Sequence, residues 1–282
     1  MTEGEAAAAA ATERGSRNLL MRVIAALILA PAAIAIAWAG GWPWAGLVTM
    51  AAIGLFVEWL IIVGAGRNAG VIATGTAALS LSGFCLASGQ INAALVTVAL
   101  GVVSVGFFSP GRRAWGAAGF CYAAAALVAS IVLRLDASAG LVALILVLLI
   151  VWVTDIGGYF AGRGIGGPKL WPRVSPKKTW AGAIGGFIAS LAIAAVFASL
   201  GFGKMGPLLL LGAVLSIASQ LGDLFESAVK RRFGVKDSSQ LIPGHGGLLD
   251  RLDGFVAAIV LAALIGVLRS GVDGVGRGLM VW

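Results

Sequence analysis

The chain has 282 residues, of which 60 % are hydrophobic and only 11 % are charged, with a formal net charge of +8. An average soluble domain has about 25 % charged residues, so this chain has too few to cover a water-soluble globule and is too apolar to be disordered. The 42 glycines show no period of three, which excludes a collagen-like repeat. The composition therefore predicts an all-α, polytopic integral membrane protein.

Apolar runs without lysine or arginine predict nine transmembrane helices. In chain order they cover 23–38, 44–63, 70–88, 91–108, 114–133, 139–160, 181–200, 207–228 and 255–268. Residues 1–22 form a polar tail that we expect to be disordered. The N-terminal transmembrane helices occupy 23–133, and a C-terminal catalytic region occupies 134–282 with two long loops at 161–180 and 229–254.

The positive-inside rule orients these spans. With a cytoplasmic N-terminus, 16 of the 20 lysines and arginines fall on the cytoplasmic side, and only Arg134, Lys204, Arg269 and Arg277 fall outside. One missed helix would scramble every later loop, so this split favours nine spans with both long loops in the cytoplasm. The same bias explains most of the positive charge, and we expect no nucleic-acid partner.

Acidic residues are scarce and unevenly distributed. There are 12, of which three lie in the N-terminal tail. Five of the other nine lie within 31 residues, namely Asp223, Glu226, Asp237, Asp250 and Asp253. Ionisable groups within or at the end of a membrane helix are costly and mark functional sites.

The first acidic run closes the eighth span, where 219–232 reads SQLGDLFESAVKRR. Asp223 and Glu226 share one helix face, and Lys230 continues that face one turn later. An ordinary ion pair between Glu226 and Lys230 is one interpretation. It does not extend to Asp223, which has no basic residue three or four positions later.

The second acidic run, at 236–253, reads KDSSQLIPGHGGLLDRLD. Its Pro-Gly-His-Gly-Gly segment is a backbone able to take positive φ and to approach an anion closely. Asp250 and Asp253 are three residues apart at the start of the ninth span, where negative charge also suits the helix dipole. Hard oxygen ligands beside lysine and arginine are typical of a site that binds Mg²⁺ together with a polyphosphate.

The other long loop also favours phosphate. Gly-rich turns follow Asp155, and Lys177 and Lys178 stand directly before a predicted helix N-terminus, an arrangement suited to binding phosphate. The two lysines are also explained as topology determinants, and the Gly-rich segment 164–167 alone is weak because no strand precedes it.

Together these segments resemble the signature of the phosphatidate cytidylyltransferases, the CDP-diacylglycerol synthases. The matching segments are DIGGYFAGR at 155–163, SPKKTW at 175–180, SQLGDLFES at 219–227, SAVKR at 227–231, KD at 236–237 and PGHGGLLDRLD at 243–253. The likeness is dense over 155–254, whereas the N-terminal spans match only in hydropathy. One departure is visible: the family usually has Glu-Gly where this chain has Ala181 and Gly182.

The resemblance implies a nucleotidyltransferase of phospholipid biosynthesis. It would transfer the cytidylyl group of CTP to phosphatidate with Mg²⁺, giving CDP-diacylglycerol and pyrophosphate. Phosphatidate is a monoester with a second pKa of about 6, so its attacking oxygen is ionised at pH 7 and needs no general base. CTP is cytosolic and phosphatidate lies in the bilayer, so the site is expected at the cytoplasmic face of a bacterial inner membrane. The resemblance also suggests a homodimer.

The site residues follow from these motifs and the resemblance together. The expected catalytic residues are Asp223, Lys230, Asp250 and Arg251. The expected phosphate-binding residues are Ser175, Lys177, Lys178, Lys230, Arg231, Lys236, His245, Gly246, Gly247 and Arg251. The expected Mg²⁺ ligands are Asp223, Asp250 and Asp253, with Glu226 as a further candidate.

Three other functions deserve comparison. A CTP-dependent polyprenol or lipid kinase would transfer the γ-phosphoryl group and release CDP. A lipid or ion transporter would place ionisable residues at several mid-membrane points, for which only Glu58 is a candidate. A CDP-alcohol phosphotransferase is disfavoured, because the pattern that starts at Asp253 and Gly254 lacks the required arginine.

Overall fold

The computed structural model describes residues 31–66, 68–239 and 246–282. Its long helices are α1 Gly41–Ile62, α2 Ala69–Ala87, α3 Ile91–Phe108, α4 Arg113–Leu135, α5 Gly140–Gly164, α6 Trp180–Ser199, α7 Met205–Arg232 and α8 Leu249–Ser270. An antiparallel hairpin of β1 Lys169–Trp171 and β2 Ser175–Thr179 connects α5 to α6. After α8 come a 3₁₀ turn, Val272–Gly274, and the short helix α9, Val275–Met280.

All eight long helices of the described residues are long and apolar enough to cross a membrane, which confirms the prediction of an all-α polytopic membrane protein. They correspond to the last eight predicted spans. The first predicted span, 23–38, lies mostly outside the described residues, although 31–39 are helical. The polar tail 1–22 lies wholly outside them. The division of the chain at residue 134 and the cytoplasmic N-terminus stay predictions.

The helices near the site extend beyond the apolar runs that predicted them. α7 continues to Arg232 and α8 begins at Leu249, whereas the apolar runs end at 228 and begin at 255. Hydropathy marks only the lipid-embedded part of a helix, and the polar turns beyond it keep their backbone hydrogen bonds. The acidic pairs on α7 and α8 are therefore helical, as predicted at the ends of these two spans, whereas Asp237 lies between the helices.

Small residues allow α5 and α6 to pack backbone against backbone. A Cβ added to Gly182 would lie 2.8 Å from the carbonyl oxygen of Gly158. Hydroxyl groups of Thr154 and Ser216 lie 3.0 Å apart between α5 and α7, and Gln220 Nε2 donates to the carbonyl of Ala183 on α6 at 3.3 Å. These contacts fix three helices around the mouth of the site.

Short connections make neighbouring helices antiparallel, so the C-terminal ends of α5 and α7 meet the N-terminal ends of α6 and α8. The two predicted long loops meet at this end of the bundle. Arg231 Nε donates to the carbonyl of Val174 in the hairpin at 3.4 Å. Phe233 packs edge-on against Trp115 of α4, with ring centroids 4.9 Å apart.

The opposite end of the bundle is held by Asp136, between α4 and α5. Its carboxylate accepts hydrogen bonds from the Ser138 hydroxyl at 2.6 Å and from the backbone N–H of Arg277 at 2.7 Å. Burial alone would raise the pKa of Asp136, but these hydrogen bonds, with those from the backbone N–H groups of Ser138 and Ala139, lower it to about 2. Asp136 thereby fastens the C-terminal segment to the bundle.

Candidate active site

A cavity of about 480 Å³ opens where α5, α6 and α7 meet the hairpin. Its lining contains both carboxylates and cations, namely Asp155 and Asp223 together with Arg163, Lys177 and Lys178. A partly enclosed cavity with a few convergent charged groups is the usual form of a small-molecule site. Both Lys177 and Lys178 were expected to bind phosphate, and both lie here.

Local structure explains how Lys178 reaches the cavity. It is the last residue but one of β2, and the next residue, Thr179, caps α6 by accepting a hydrogen bond from the N–H of Gly182 at 3.1 Å. The Lys178 ammonium group forms an ion pair with Asp223 of α7. Both side chains are 29 % exposed, so the pair is open to exchange with a ligand. Asp223 thus takes its cationic partner from the other loop rather than from its own helix.

A second charged cluster lies beside the cavity and is more buried. Lys230 Nζ lies 2.7 Å from Glu226 Oε2 and 2.6 Å from Asp250 Oδ1. The other oxygen of Asp250 accepts hydrogen bonds from the backbone N–H groups of Ser238 and Gly247, both at 3.2 Å. The ion pair within α7 is therefore present, but Lys230 also ties α7 to the first turn of α8.

Asp253 lies at a close contact between α7 and α8. A Cβ on Gly222 would lie 2.6 Å from the Asp253 carbonyl oxygen, so only glycine permits this approach. Asp253 Oδ1 accepts a hydrogen bond from the N–H of Gly254 at 2.7 Å. The charges of Asp155 and Asp223 both act on Asp253, which brings three carboxylates into one electrostatic environment.

The four acidic residues expected to bind Mg²⁺ do not form one group. Among the described residues, no set of three carboxylate, histidine or cysteine side chains has the geometry to hold a metal. Glu226 and Asp250 both pair with Lys230. An ammonium group between two carboxylates offsets the cost of burying them. Asp155 and Asp223, by contrast, line the cavity together. In nucleotide sites Mg²⁺ is held by one or two carboxylates with substrate phosphates and water, and these two residues fit that requirement.

The remaining predicted phosphate ligands are dispersed. Ser175 pairs with Trp171 in the hairpin, Arg231 supports that hairpin, and Lys236 is exposed beyond α7. Arg251 is exposed on the first turn of α8, and its charge acts on Asp155.

The Gly-rich segment of the second loop is described only in part. Gly246 has a φ of +84°, which confirms the expected left-handed backbone there, and Gly247 donates its N–H to Asp250. His245 lies outside the described residues, so its expected role stays a prediction.

Two residues near the site were not among those expected to act there. Asp155 is the acidic residue at the end of its apolar run, and it shares the cavity with Asp223. Glu58 is the one acidic residue within the apolar run 44–63, and its position fitted a transporter. Instead it accepts hydrogen bonds from the N-terminus of α8. The isolated carboxylate in an apolar run indicated that Glu58 has a specific role, but the sequence did not indicate which groups it contacts.

Comparison with known proteins identifies the family of this chain. The model of the cytidylyltransferase family matches residues 20–268. A phosphatidate cytidylyltransferase of Brucella suis biovar 1 is 40 % identical over 263 residues, which cover 91 % of this chain and 96 % of that protein. Proteins of the same name from Staphylococcus haemolyticus and Haemophilus influenzae are 41 % identical over 176 residues and 48 % identical over 126 residues. They cover 61 % and 43 % of this chain, and 67 % and 44 % of their own lengths. The resemblance is thereby confirmed, and the chain belongs to the cytidylyltransferase family.

Proposed function

We propose that this protein transfers the cytidylyl group of CTP to phosphatidate and releases pyrophosphate and CDP-diacylglycerol. The observation that carries the proposal is the cavity that Asp155 and Asp223 line together with Lys177 and Lys178 at one end of a membrane bundle. A relative that is 40 % identical over 91 % of this chain is named phosphatidate cytidylyltransferase.

The reaction requires two polyanions to meet. The attacking oxygen of phosphatidate is already ionised at pH 7, so the site must offset charge repulsion rather than remove a proton. Lys177, Lys178 and Arg163 supply cationic donors along the cavity lining. Lys178 is held by Asp223 before substrate arrives, and we infer that its ammonium group exchanges part of that contact for a phosphate oxygen.

The carboxylates suit a metal-dependent reaction. Asp155 and Asp223 would hold Mg²⁺, and bound Mg²⁺ would stabilise charge on the phosphate oxygens. Asp253 lies close enough to both residues to interact with them electrostatically, which makes it a third carboxyl group near this end of the cavity. Lys177 and Lys178 in β2 supply the cationic groups that would bind the phosphates of the substrates.

Lys230 and Asp250 have a supporting role in this proposal. The Lys230 ammonium group is already matched by Glu226 and Asp250 at 2.7 and 2.6 Å, so little of its charge is left for a phosphate. The cluster joins the end of α7 to the start of α8, which hold Asp223 and Asp253. We therefore assign the cluster to positioning these helix ends.

The proposal puts the cavity at the cytoplasmic face of a bacterial inner membrane. The distribution of basic residues supports this orientation, because both converging loops belong to the side expected to be cytoplasmic. CTP would enter from that side, and phosphatidate from the adjoining leaflet. The homodimer suggested by the resemblance is tested by light scattering of the detergent-solubilised protein.

The experiment compares product formation in purified protein with and without Mg²⁺. CTP and phosphatidate should give CDP-diacylglycerol and pyrophosphate only when the metal is present. Asp223→Asn should abolish turnover, whereas Asp237→Asn, which removes an exposed carboxylate outside the cavity, should leave it intact. Normal turnover by Asp223→Asn would contradict the site assignment, and CDP among the products would indicate a lipid kinase instead.

A further inference from the structure

Glu58 is a buried carboxylate that joins the N-terminal helices to the loop beside the active site. It lies on α1 and is 1 % exposed. The hydroxyl groups of Ser238 and Ser239 donate to it at 2.8 and 2.6 Å. The backbone N–H groups of Leu248 and Leu249 donate to it at 2.8 and 2.7 Å. Each carboxylate oxygen therefore accepts two hydrogen bonds.

This arrangement caps α8 from another helix. The residue at the N-cap position is Leu248, whose side chain has no oxygen to accept the free N–H groups of the first turn. Those groups need an acceptor, and a carboxylate also complements the positive end of the helix dipole. Burying a carboxylate is costly unless it is fully hydrogen-bonded. Glu58 and the start of α8 thus satisfy each other.

The same loop is also held by Asp250. Ser238 donates its hydroxyl to Glu58 and its backbone N–H to Asp250. Gly247 lies between the two carboxylates, since a Cβ there would come within 2.6 Å of Glu58 Oε2. The loop around Ser238 and the first turn of α8 are therefore locked by two carboxylates from different helices.

We propose that Glu58 is a positioning residue for cytidylyl transfer: through Ser238 and the first turn of α8, it fixes Asp250 against Lys230 beside the cavity. It contacts no reacting atom and acts through the loop. This inference rests on the proposed function for the reaction concerned. It differs from a transporter role, in which a carboxylate within the membrane would face a transported ligand.

The test replaces Glu58 with glutamine, which keeps the size of the side chain and changes its hydrogen bonding. One acceptor oxygen becomes an NH₂ group that faces two donors, so those two hydrogen bonds are lost. Small displacements of catalytic groups can lower rates by about 100-fold. We expect Glu58→Gln to lower kcat by tenfold or more with little change in KM for CTP, because the lysines that bind phosphate are not touched.

A matched control distinguishes positioning from general stability. Asp136 is also a buried carboxylate that accepts backbone N–H groups, but it lies at the other end of α5. Asp155 is 15 residues from the start of α5 at Gly140, which is about 22 Å. Asp136→Asn should therefore lower the unfolding temperature and leave kcat within about twofold.

Hydrogen exchange reports the loop directly and needs no turnover. Glu58→Gln should speed exchange of the amides at 246–250 selectively, whereas Asp136→Asn should not. Normal kcat in Glu58→Gln, or faster exchange spread evenly over all helices, would overturn the proposal. If the wild-type protein does not act on phosphatidate, the proposed function fails, and the exchange experiment still decides whether Glu58 fixes the loop.

If Glu58→Gln does not fold, the proposal is tested at the two serines that donate hydrogen bonds to Glu58. Replacing Ser238 and Ser239 with alanine removes two of the four hydrogen bonds and leaves the carboxylate in place. We expect the same selective loss of kcat, and in the combined variant the effects should not add, because both changes act on one contact. Wild-type kcat in the serine variant would contradict the proposal.

Discussion

Replacing Lys230 with methionine should destabilise the protein far more than removal of an exposed lysine. The Lys230 side chain is 11 % exposed and lies between Glu226 and Asp250, which are 2 % and 16 % exposed. Methionine keeps the apolar length of the side chain but removes the charge. Two carboxylates would then face each other without a cation, at the point where α7 meets α8.

The size of the effect follows from this burial. Breaking a buried ion pair by removing one partner costs about 3–5 kcal/mol, because the remaining charge is uncompensated. Removing an exposed charge such as Lys236 costs about 0–1 kcal/mol. We therefore expect Lys230→Met to lower the free energy of unfolding by about 3 kcal/mol or more, and Lys236→Met to leave it nearly unchanged.

The assay is reversible unfolding in mixed detergent micelles, with both variants measured against the wild type. A second substitution sharpens it: Glu226→Gln in the Lys230→Met background removes one of the two unpaired carboxylates. In that background Glu226→Gln should recover part of the lost stability. In the wild-type background the same substitution leaves Lys230 with one carboxylate partner, Asp250. If Lys230→Met is as stable as Lys236→Met, the cluster does not support the junction of α7 and α8, and the reasoning is refuted.

Three further substitutions test other parts of the structure. Gly182→Val should cost about 1–3 kcal/mol in the same unfolding assay, because its Cβ would press on the Gly158 carbonyl at 2.8 Å; wild-type stability would contradict the close packing. The pKa of Asp136 is lowered to about 2 from 3.8, so its contribution of about 2 kcal/mol is present above pH 4 and lost as the pH falls from 4 to 2. Asp136→Asn should reduce the change in the free energy of unfolding over that pH range, and an unchanged pH dependence would refute this role of Asp136. Ala181→Glu should leave turnover within about twofold, because Lys178 already has a carboxylate partner; a large gain in kcat would show that the family's usual glutamate supplies something this chain lacks.

Much of the fold was predictable from hydropathy. Apolar runs predicted all eight membrane helices of the described residues, since a lipid-spanning helix needs about 20 apolar residues whatever its neighbours are. The hairpin at Lys169–Thr179 was not predicted, because its strands have only three and five residues. The apolar runs also stop short of the polar ends of α7 and α8, since hydropathy does not report helix beyond the bilayer.

The residue types of the site were predictable from the sequence, but most of the contacts between those residues were not. Spacing along α7 indicated the contact between Glu226 and Lys230, because residues four apart share a helix face. The partner of Asp223 is Lys178, 45 positions earlier in the chain, and no local period reports such a contact. Glu58 and Ser238 are 180 residues apart, so their hydrogen bond depends entirely on how the helices pack.

Cytidylyl transfer moves the α-phosphorus of CTP to phosphatidate, and isotopic labelling follows that atom. Purified protein in vesicles that contain phosphatidate would receive CTP labelled at either the α- or the γ-phosphate. We expect the α-label to enter the lipid and the γ-label to leave as pyrophosphate. The γ-label in the lipid, with CDP in solution, would contradict cytidylyl transfer.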